Sequence, residues 1–337
     1  MNEYFFKLIK TLTAIFLLGT ISCSGSFSLE PEPGKSQKEE LSIVNWNVQT
    51  FFDSITDGCE YEEFISSKKW GAKPYAERLS RLASAIKSID ADVLVMEEIE
   101  NENVVHDISN FLAGEWNMKK IYRYACFAKD DGGSIGCAVM SRYPLENMSV
   151  HSTEVRNGKT MPKMRPVIQV TVCKGNKKLC LLINHWKSMS GGEQETEQWR
   201  LLQETVLAGR MESIANGGLA VLACGDFNRD IMKFKEGEKS GCVLLRNKAH
   251  EDCISGAEVI SPWFDGKNLV EPGSYFYSDE WSRIDNFFAY GDIEITDFHP
   301  VTDGPWCDCE THVPEKYQIW KGTGYSDHLP IFCRVRF

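Results

Sequence analysis

Positive charge is the scarce commodity in this chain: 37 lysines and arginines face 48 aspartates and glutamates, a formal net charge of −11. That shortfall excludes a non-specific polyanion binder held by charge alone. It leaves room for an enzyme that meets phosphate through a bound cation, because acids gathered round a metal add to the same negative count. An apolar run long enough to cross a membrane is also missing. The candidate, Leu12 to Ile21, is shorter than the roughly 20 residues a span needs. Cys307 and Cys309, in "WCDCE", have no second cysteine or histidine pair at zinc-finger spacing, which argues against a zinc site. From Leu41 onward there is no internal repeat, compositional break or linker, so residues 41–337 read as one domain.

What is present suits a soluble globular protein, with 42% apolar and 25% charged residues. A core of that size folds without needing disulfides or metal. Ahead of it, Lys7 and Lys10 precede the short apolar run, and residues 1–22 read as an export signal. "LLGTISCSGS" resembles a bacterial lipoprotein processing site with Cys23 as the lipidated residue, although Thr20 stands where Leu is commonest. The other reading is a plain secretory signal cleaved nearby. Residues 23–40, with Pro31, Pro33 and several charges, read as a tether. The expected location is therefore the cell envelope or the exterior, with the membrane touched only through lipid at Cys23.

Twelve cysteines suit an oxidising setting. Setting Cys23 aside leaves eleven, so at least one thiol is unpaired. Cys173 with Cys180, flanking "KGNKKL", and Cys242 with Cys253 are the local pairs to test.

Along the domain, "LSIVNWNV", "ADVLVMEE", "IGCAVMS", "RPVIQVTVC", "LCLLINHW", "LAVLACGDF", "IDNFFAY" and "PIFCRVRF" read as strands. Helical spacing runs over Arg78–Ile89, Asn103–Leu112 and Thr196–Ala215. In the last of these, Trp199, Leu202, Val206, Met211 and Ile214 form the expected apolar stripe. Several strands are apolar on both faces, which implies sheets covered on each side. Helices interleave with hairpins, so the sheets should be mixed.

The informative pattern is where the strands stop. Asn47, Glu98, His185, Asp226 with Asn228, and Asp327 with His328 end or adjoin apolar runs, and Asp285 interrupts "RIDNFF". Each has an ordinary explanation taken singly, such as a turn cap or a satisfied core histidine. Together they match one chemistry, because strand ends gathered on one edge are rigid supports for a site.

"NWNV", "DVLVMEEIEN", "INHWKS", "GDFNRD", "SRIDNFF" and "YSDHLPIF", in this order and spacing, resemble the endonuclease/exonuclease/phosphatase superfamily. The resemblance implies a four-layer α/β/β/α sandwich of two mixed β-sheets flanked by helices, and divalent-metal-dependent phosphoester hydrolysis. It implies Mg²⁺, or Mn²⁺ or Ca²⁺, held by Glu98 with Asn47 and Asp327. Asp226 and Asn228 would orient the attacking water and a phosphate oxygen. His328 would be the general base, held by Asp285, and His185 would donate to the phosphate. Arg165, in "MRPVIQV", matches a phosphate-contacting arginine of the deoxyribonuclease branch.

Two departures stand out. Glu97 replaces the usual Gln and is either an outward surface residue or a change in the metal site. Ser134 and Gly136 stand where the deoxyribonuclease branch has an acid to partner the histidine matching His185, with Asp130 and Asp131 the nearest acids in sequence, which leaves backbone orientation or a neutral donor role. For Gly225, the expected reason is that a side chain there would crowd an approaching phosphate. Asp230 reads as an ordinary loop acid. Substrate choice leans toward DNA or RNA. Lys187, Arg200 and Arg283 offer local positive charge, and Tyr275, Tyr277 and Trp281 offer stacking faces. Only Trp263 and Phe264 are apolar candidates for entering a bilayer, as a sphingomyelinase would require. A sphingomyelinase, an inositol-polyphosphate phosphatase and a non-catalytic binding lipoprotein are the alternatives. The protein is expected to be a monomer.

Overall fold

A computed structural model describes residues 38–153, 162–236, 241–247, 255–266 and 268–337. The expected export signal, Cys23, most of the tether, and Cys253 lie outside the described residues.

The β-branched apolar runs become the central strands of two sheets. A six-stranded sheet runs in the order Glu294–Pro300, Ile331–Arg336, Glu40–Phe51, Val93–Ile99, Gly136–Ser141 and Tyr124–Ala128. An eight-stranded sheet runs Leu145–His151, Val167–Lys174, Lys177–His185, Ala220–Asp226, Asp285–Tyr290, Ser255–Ile260, Cys242–Asn247 and Lys235–Glu236. Each sheet is mixed. Glu40–Phe51 runs parallel to Val93–Ile99, and Lys177–His185 parallel to Ala220–Asp226. A parallel pair needs a crossover. The helix Ala72–Ile89 supplies one and the helix Glu193–Asn216 the other.

Period-two alternation decides what each face meets. Leu41 and Ile43 join Val93, Val95, Val170, Val172 and Leu181 in the apolar cluster between the sheets. Val44, Trp46, Leu94 and Met96 point the other way, onto Leu82 and Ile86 of Ala72–Ile89 and onto Val104, Ile108 and Leu112 of the helix Glu102–Glu115. Glu193–Asn216 lies outside the second sheet through Leu207, Ala208 and Met211. The result is the four-layer α/β/β/α sandwich.

Local signals explain the helix ends. Asn101 caps Glu102–Glu115 by accepting the Val104 amide at 3.2 Å. Ala72–Ile89 begins earlier than its apolar spacing suggests and stops at Asp90, which turns left-handed at φ 56°.

Two expectations are corrected. The buried face of Glu193–Asn216 is Thr196, Arg200, Gln203, Glu204, Leu207, Ala208 and Met211. Of the expected stripe only Met211 is buried; Trp199, Leu202, Val206 and Ile214 are half-buried. The face is polar because it anchors chain ends beneath the neighbouring sheet. Gln203 Oε1 accepts the Lys187 amide at 2.8 Å, Arg200 Nη1 donates to the Lys187 carbonyl at 3.1 Å, and Glu204 holds Arg229 at 2.5 Å. Cys173 and Cys180 do not bridge. The register sets Cys173 opposite Lys178 and Cys180 opposite Thr171, and both thiols are free.

Candidate active site

The two parallel pairs finish on the same side of the sandwich, and the polar strand ends meet there. Register places His185 beside Asp226 and Asp226 opposite Asp285. Asn47 sits beside Glu97, and the ladder then breaks between Glu97 and Ile99. Glu98 occupies that bulge at φ 65°, a left-handed backbone that is costly for a non-glycine residue and common where a side chain must be re-aimed. The bulge separates consecutive acids. Glu97 is fully buried and accepts from Asn45 Nδ2 at 3.3 Å, so it is not an outward surface residue. Glu98 turns toward a cleft of about 360 Å³, whose walls also carry His185, Asp226, Asn228, Asp327 and His328.

Asp226 is the hub. Its Oδ1 accepts the Asn228 amide at 2.7 Å, and its Oδ2 accepts from Asn228 Nδ2 at 2.9 Å and Asn47 Nδ2 at 3.1 Å. Asn228 reaches back because its backbone is left-handed, φ 46°. Gly225, just before, has φ 139°, and a Cβ there would lie 1.8 Å from the Asn184 carbonyl oxygen. The neighbouring strand therefore demands glycine, and an approaching phosphate is not the reason. Asp230 also has a defined place: it caps the short turn Ile231–Lys233 through the Met232 amide at 2.9 Å and accepts the Arg283 amide at 2.8 Å.

His328 Nδ1 lies 2.8 Å from Asp285 Oδ2, which leaves Nε2 as the ring nitrogen without a protein partner among the described residues. Three contacts that no motif announced hold this loop in place. Trp46 Nε1 donates to the His328 carbonyl at 3.0 Å. Ser326 Oγ donates to the Asn47 carbonyl at 2.6 Å and accepts the His328 amide at 3.1 Å. Tyr275 packs its ring against the imidazole at 4.8 Å, so its face is used inside the protein. His185 Nε2 approaches Asp226 Oδ2 at 3.6 Å and Glu98 Oε1 at 3.9 Å, while its buried Nδ1 has no partner. Backbone orientation of His185 is therefore not observed.

Electrostatics separates the two histidines. Burial, helped by the charges of Arg165 and His328, holds His185 well below the usual imidazole range, so it is neutral. Burial also acts to lower His328, but the Asp285 carboxylate outweighs it and, with Asp226 and Asp327, raises it well above that range. Burial and then the Asp285 charge push the Asp226 carboxyl up to about 7, against the pull of His328 and of its amide donors. Burial, then Asp285 and Asp226, raise Glu97 well above the carboxylate range. Glu97 is thus an uncharged acid, close in shape and hydrogen bonding to the Gln it replaces.

The remaining predicted residues divide. Arg165 and Lys187 do not line the cleft. They line an adjoining pocket of about 230 Å³ with Lys163, and Tyr61 borders both spaces. Arg200 and Arg283 are elsewhere. Arg200 is buried against Glu197, and Arg283 donates to the Val270 carbonyl and pairs with Glu271. Asn47 sits behind the cleft wall, with Nδ2 shared between Glu98 at 3.3 Å and Asp226 and with Oδ1 accepting the Gln49 amide. Trp281 packs on Phe276, and Trp263 is fully buried with its indole N–H on the Asp285 carbonyl.

The donor set suits a hard cation. Glu98 and Asp327 present carboxylate oxygens to the cleft beside Asp226, and the only ion-pair partner of Glu98 among the described residues is the neutral His185. Oxygen-rich, anionic and partly open to water, this matches what Mg²⁺, Mn²⁺ or Ca²⁺ prefers.

Residues 42–296 match the family model described as Endonuclease/Exonuclease/phosphatase family. Among solved structures, a humanized D. rerio TDP2 carrying 14 mutations superposes with a TM-score of 0.55 at 16% identity, covering 88% of this chain and 98% of that one. ANGEL2, a 2′,3′-cyclic phosphatase in complex with adenosine-2′,3′-vanadate, gives 0.55 at 13% identity, covering 89% and 96%. An endonuclease/exonuclease/phosphatase family protein from Bacteroides thetaiotaomicron gives 0.51 at 14% identity, covering 89% and 99%. No curated protein matches the sequence.

Proposed function

Because the chain belongs to the endonuclease/exonuclease/phosphatase family, we propose that it is a divalent-metal-dependent phosphodiester hydrolase, an exported nuclease that cleaves DNA or RNA. The observation carrying this reading is the convergence of Glu98, His185, Asp226, Asn228, Asp327 and His328 on one cleft, with Asp285 behind His328.

Glu98 and Asp327 would hold the cation, with Asn47 aligning Glu98. When bound, the cation stabilises charge that grows on the phosphoryl oxygens. Asp226 orients the attacking water and accepts its proton, a role suited to a carboxyl at about 7 near neutral pH. Asn228 completes the water- and phosphate-orienting edge. His185, neutral, donates from Nε2 to a phosphate oxygen. His328 keeps its Nδ1 proton on Asp285 and offers the Nε2 proton to the phosphate or the leaving oxygen. This moves the base from His328 to Asp226, because the Asp285 carboxylate keeps His328 charged.

Three features support nucleic acid over lipid. Lys163, Arg165 and Lys187 border the pocket next to the acidic cleft, where a flanking phosphate of a polymer would fall. Tyr277 is 70% exposed and stacks on Tyr275, which offers a base a face. Trp263, one of the two side chains considered for entering a bilayer, is buried in the core.

The test is a parallel assay of plasmid DNA, RNA, sphingomyelin and inositol phosphates, with Mg²⁺ or Mn²⁺ and with chelator. Cleavage of DNA or RNA that chelator abolishes is expected. Turnover of lipid or inositol phosphate alone would overturn the nuclease reading, and activity persisting in chelator would overturn the mechanism. Export and attachment through Cys23 are part of the same proposal. Labelling of the protein by a fatty-acid analogue, lost on Cys23→Ala, is the expected result.

A further inference from the structure

Away from the cleft, the chain leaving the strand Glu40–Phe51 folds back onto the end of Val93–Ile99 and brings acids together. Asp57, Glu60 and Glu100 each offer a carboxylate oxygen, and these atoms lie within 4.8 Å of one another. Glu100 is 1% exposed. Its Oε2 accepts the Asp53 amide at 2.5 Å, whereas Oε1 is buried with no hydrogen-bond partner. An unpaired buried carboxylate oxygen is costly, more so on a side chain with two further carboxylates close by. Among the described residues no lysine, arginine or histidine forms an ion pair with any of the three. The loop also sets the carboxylates in place. Glu60 accepts the Asp57 and Gly58 amides, each at 2.9 Å, and Asp57 accepts the Cys59 amide at 2.8 Å, which leaves lone pairs on each oxygen.

We propose that Asp57, Glu60 and Glu100 form a second divalent-cation site, separate from the catalytic cleft and suited to Ca²⁺. The donors are oxygens only, which disfavours zinc and copper. Ca²⁺ binds oxygen at about 2.3–2.6 Å in flexible geometry, so one ion reaches oxygens up to about 5 Å apart. Mg²⁺ demands a tighter octahedron at about 2.0–2.1 Å. Loop carbonyls and water complete the coordination.

The position gives the ion a consequence. It ties residues 57–60 to Glu100, two residues beyond Glu98. Tyr61 follows directly, packs its ring on Phe52 at 5.5 Å and borders both the cleft and the basic pocket. Ca²⁺ here fixes the rim over which substrate enters without taking part in the chemistry.

The test uses the full chain carrying Glu98→Gln and Asp327→Asn, so that both of the cleft's own cation ligands are gone, and the probe is CaCl₂ against MgCl₂. Calorimetric titration should show one Ca²⁺ site, and the thermal midpoint should rise with Ca²⁺. A concentration of 100 times Kd shifts the folding equilibrium about a hundredfold. Adding Asp57→Asn and Glu60→Gln should remove both effects. Asp57→Asn alone, at an exposed position, should weaken binding at least tenfold, which keeps the test decisive if the multiple variant folds poorly. Ca²⁺ binding that is absent, that survives these changes, or that MgCl₂ reproduces at equal concentration would overturn the proposal. None of these readouts depends on hydrolytic activity, so the site and the proposed function fail separately.

Discussion

Replacing Glu97 by Gln should stabilise the protein at neutral and alkaline pH, and the gain should grow with pH. Glu97 is fully buried, accepts one hydrogen bond from Asn45, leaves Oε1 unpaired and is held well above the carboxylate range by burial and by Asp285 and Asp226. A group whose folded pKa is raised contributes stability fully present below its unfolded pKa and lost as pH rises through the folded one. In the unfolded chain the carboxyl ionises near pH ~4.3, so above that point the native state must keep a proton that the unfolded state releases. Each pH unit in that window costs about 1.4 kcal/mol. Gln has no proton to lose, so the difference in unfolding free energy should widen in its favour by up to about 1.4 kcal/mol per pH unit. An offset is expected at low pH. The Gln amide N–H₂ faces the site of the unpaired Oε1, and an unsatisfied buried donor costs about 1–3 kcal/mol. The slope is therefore the diagnostic quantity. Urea unfolding of both proteins at pH 5, 6, 7 and 8 in chelator, which removes any cation field, measures it. A difference independent of pH, or one widening in favour of Glu97, would refute the reasoning. Because Glu97 mimics Gln when protonated, hydrolytic activity should survive the change.

Asp226→Ala and His328→Ala should each lower the rate of phosphodiester cleavage by about 10²–10⁴-fold, the usual range for lost acid–base help, with circular dichroism confirming an intact fold. Asp285→Asn removes the carboxylate that keeps His328 charged. The alkaline limb of the rate profile should then move to lower pH, and an unmoved limb would disconnect the pair from catalysis. Gly225→Ala should destabilise the protein by about 1–3 kcal/mol or more, because its Cβ would lie 1.8 Å from a backbone oxygen with no flexible side chain to yield. Trp186→Ala, fully buried and edge-on to Phe227 at 4.9 Å, should cost about 3–5 kcal/mol in chemical denaturation.

Much of the architecture was legible because it depends on local periodicity. Alternating and continuous apolar runs marked eight of the strands, and two of the helices read from apolar spacing are bounded by Asn101, through its side-chain oxygen, and by Asp90, through its left-handed backbone. The polar strand ends could be named one by one for the same reason. Periodicity failed where the buried face is polar: the stripe of Arg200, Gln203 and Glu204 is invisible to a search for apolar spacing, since its partners Lys187, Arg229 and Arg246 lie elsewhere in the chain. Arg200 and Arg283 look like free surface cations in sequence, yet both are spent on internal partners.

Sequence by itself determined eight of the fourteen strands in the two sheets, the mixed sheets and the inventory of acids, amides and histidines at strand ends, because each is written in residue type and spacing. Only the tertiary structure decided how that inventory is used. The bulge at Glu98 sends two adjacent acids in opposite directions, one into the core as a protonated stand-in for Gln and one to the cleft. The two histidines, equal in the alphabet, part company because His328 meets Asp285 while His185 meets burial first and then the charges of Arg165 and His328. Charge state is set by the field of groups far apart in the chain, and only folding brings those groups within reach.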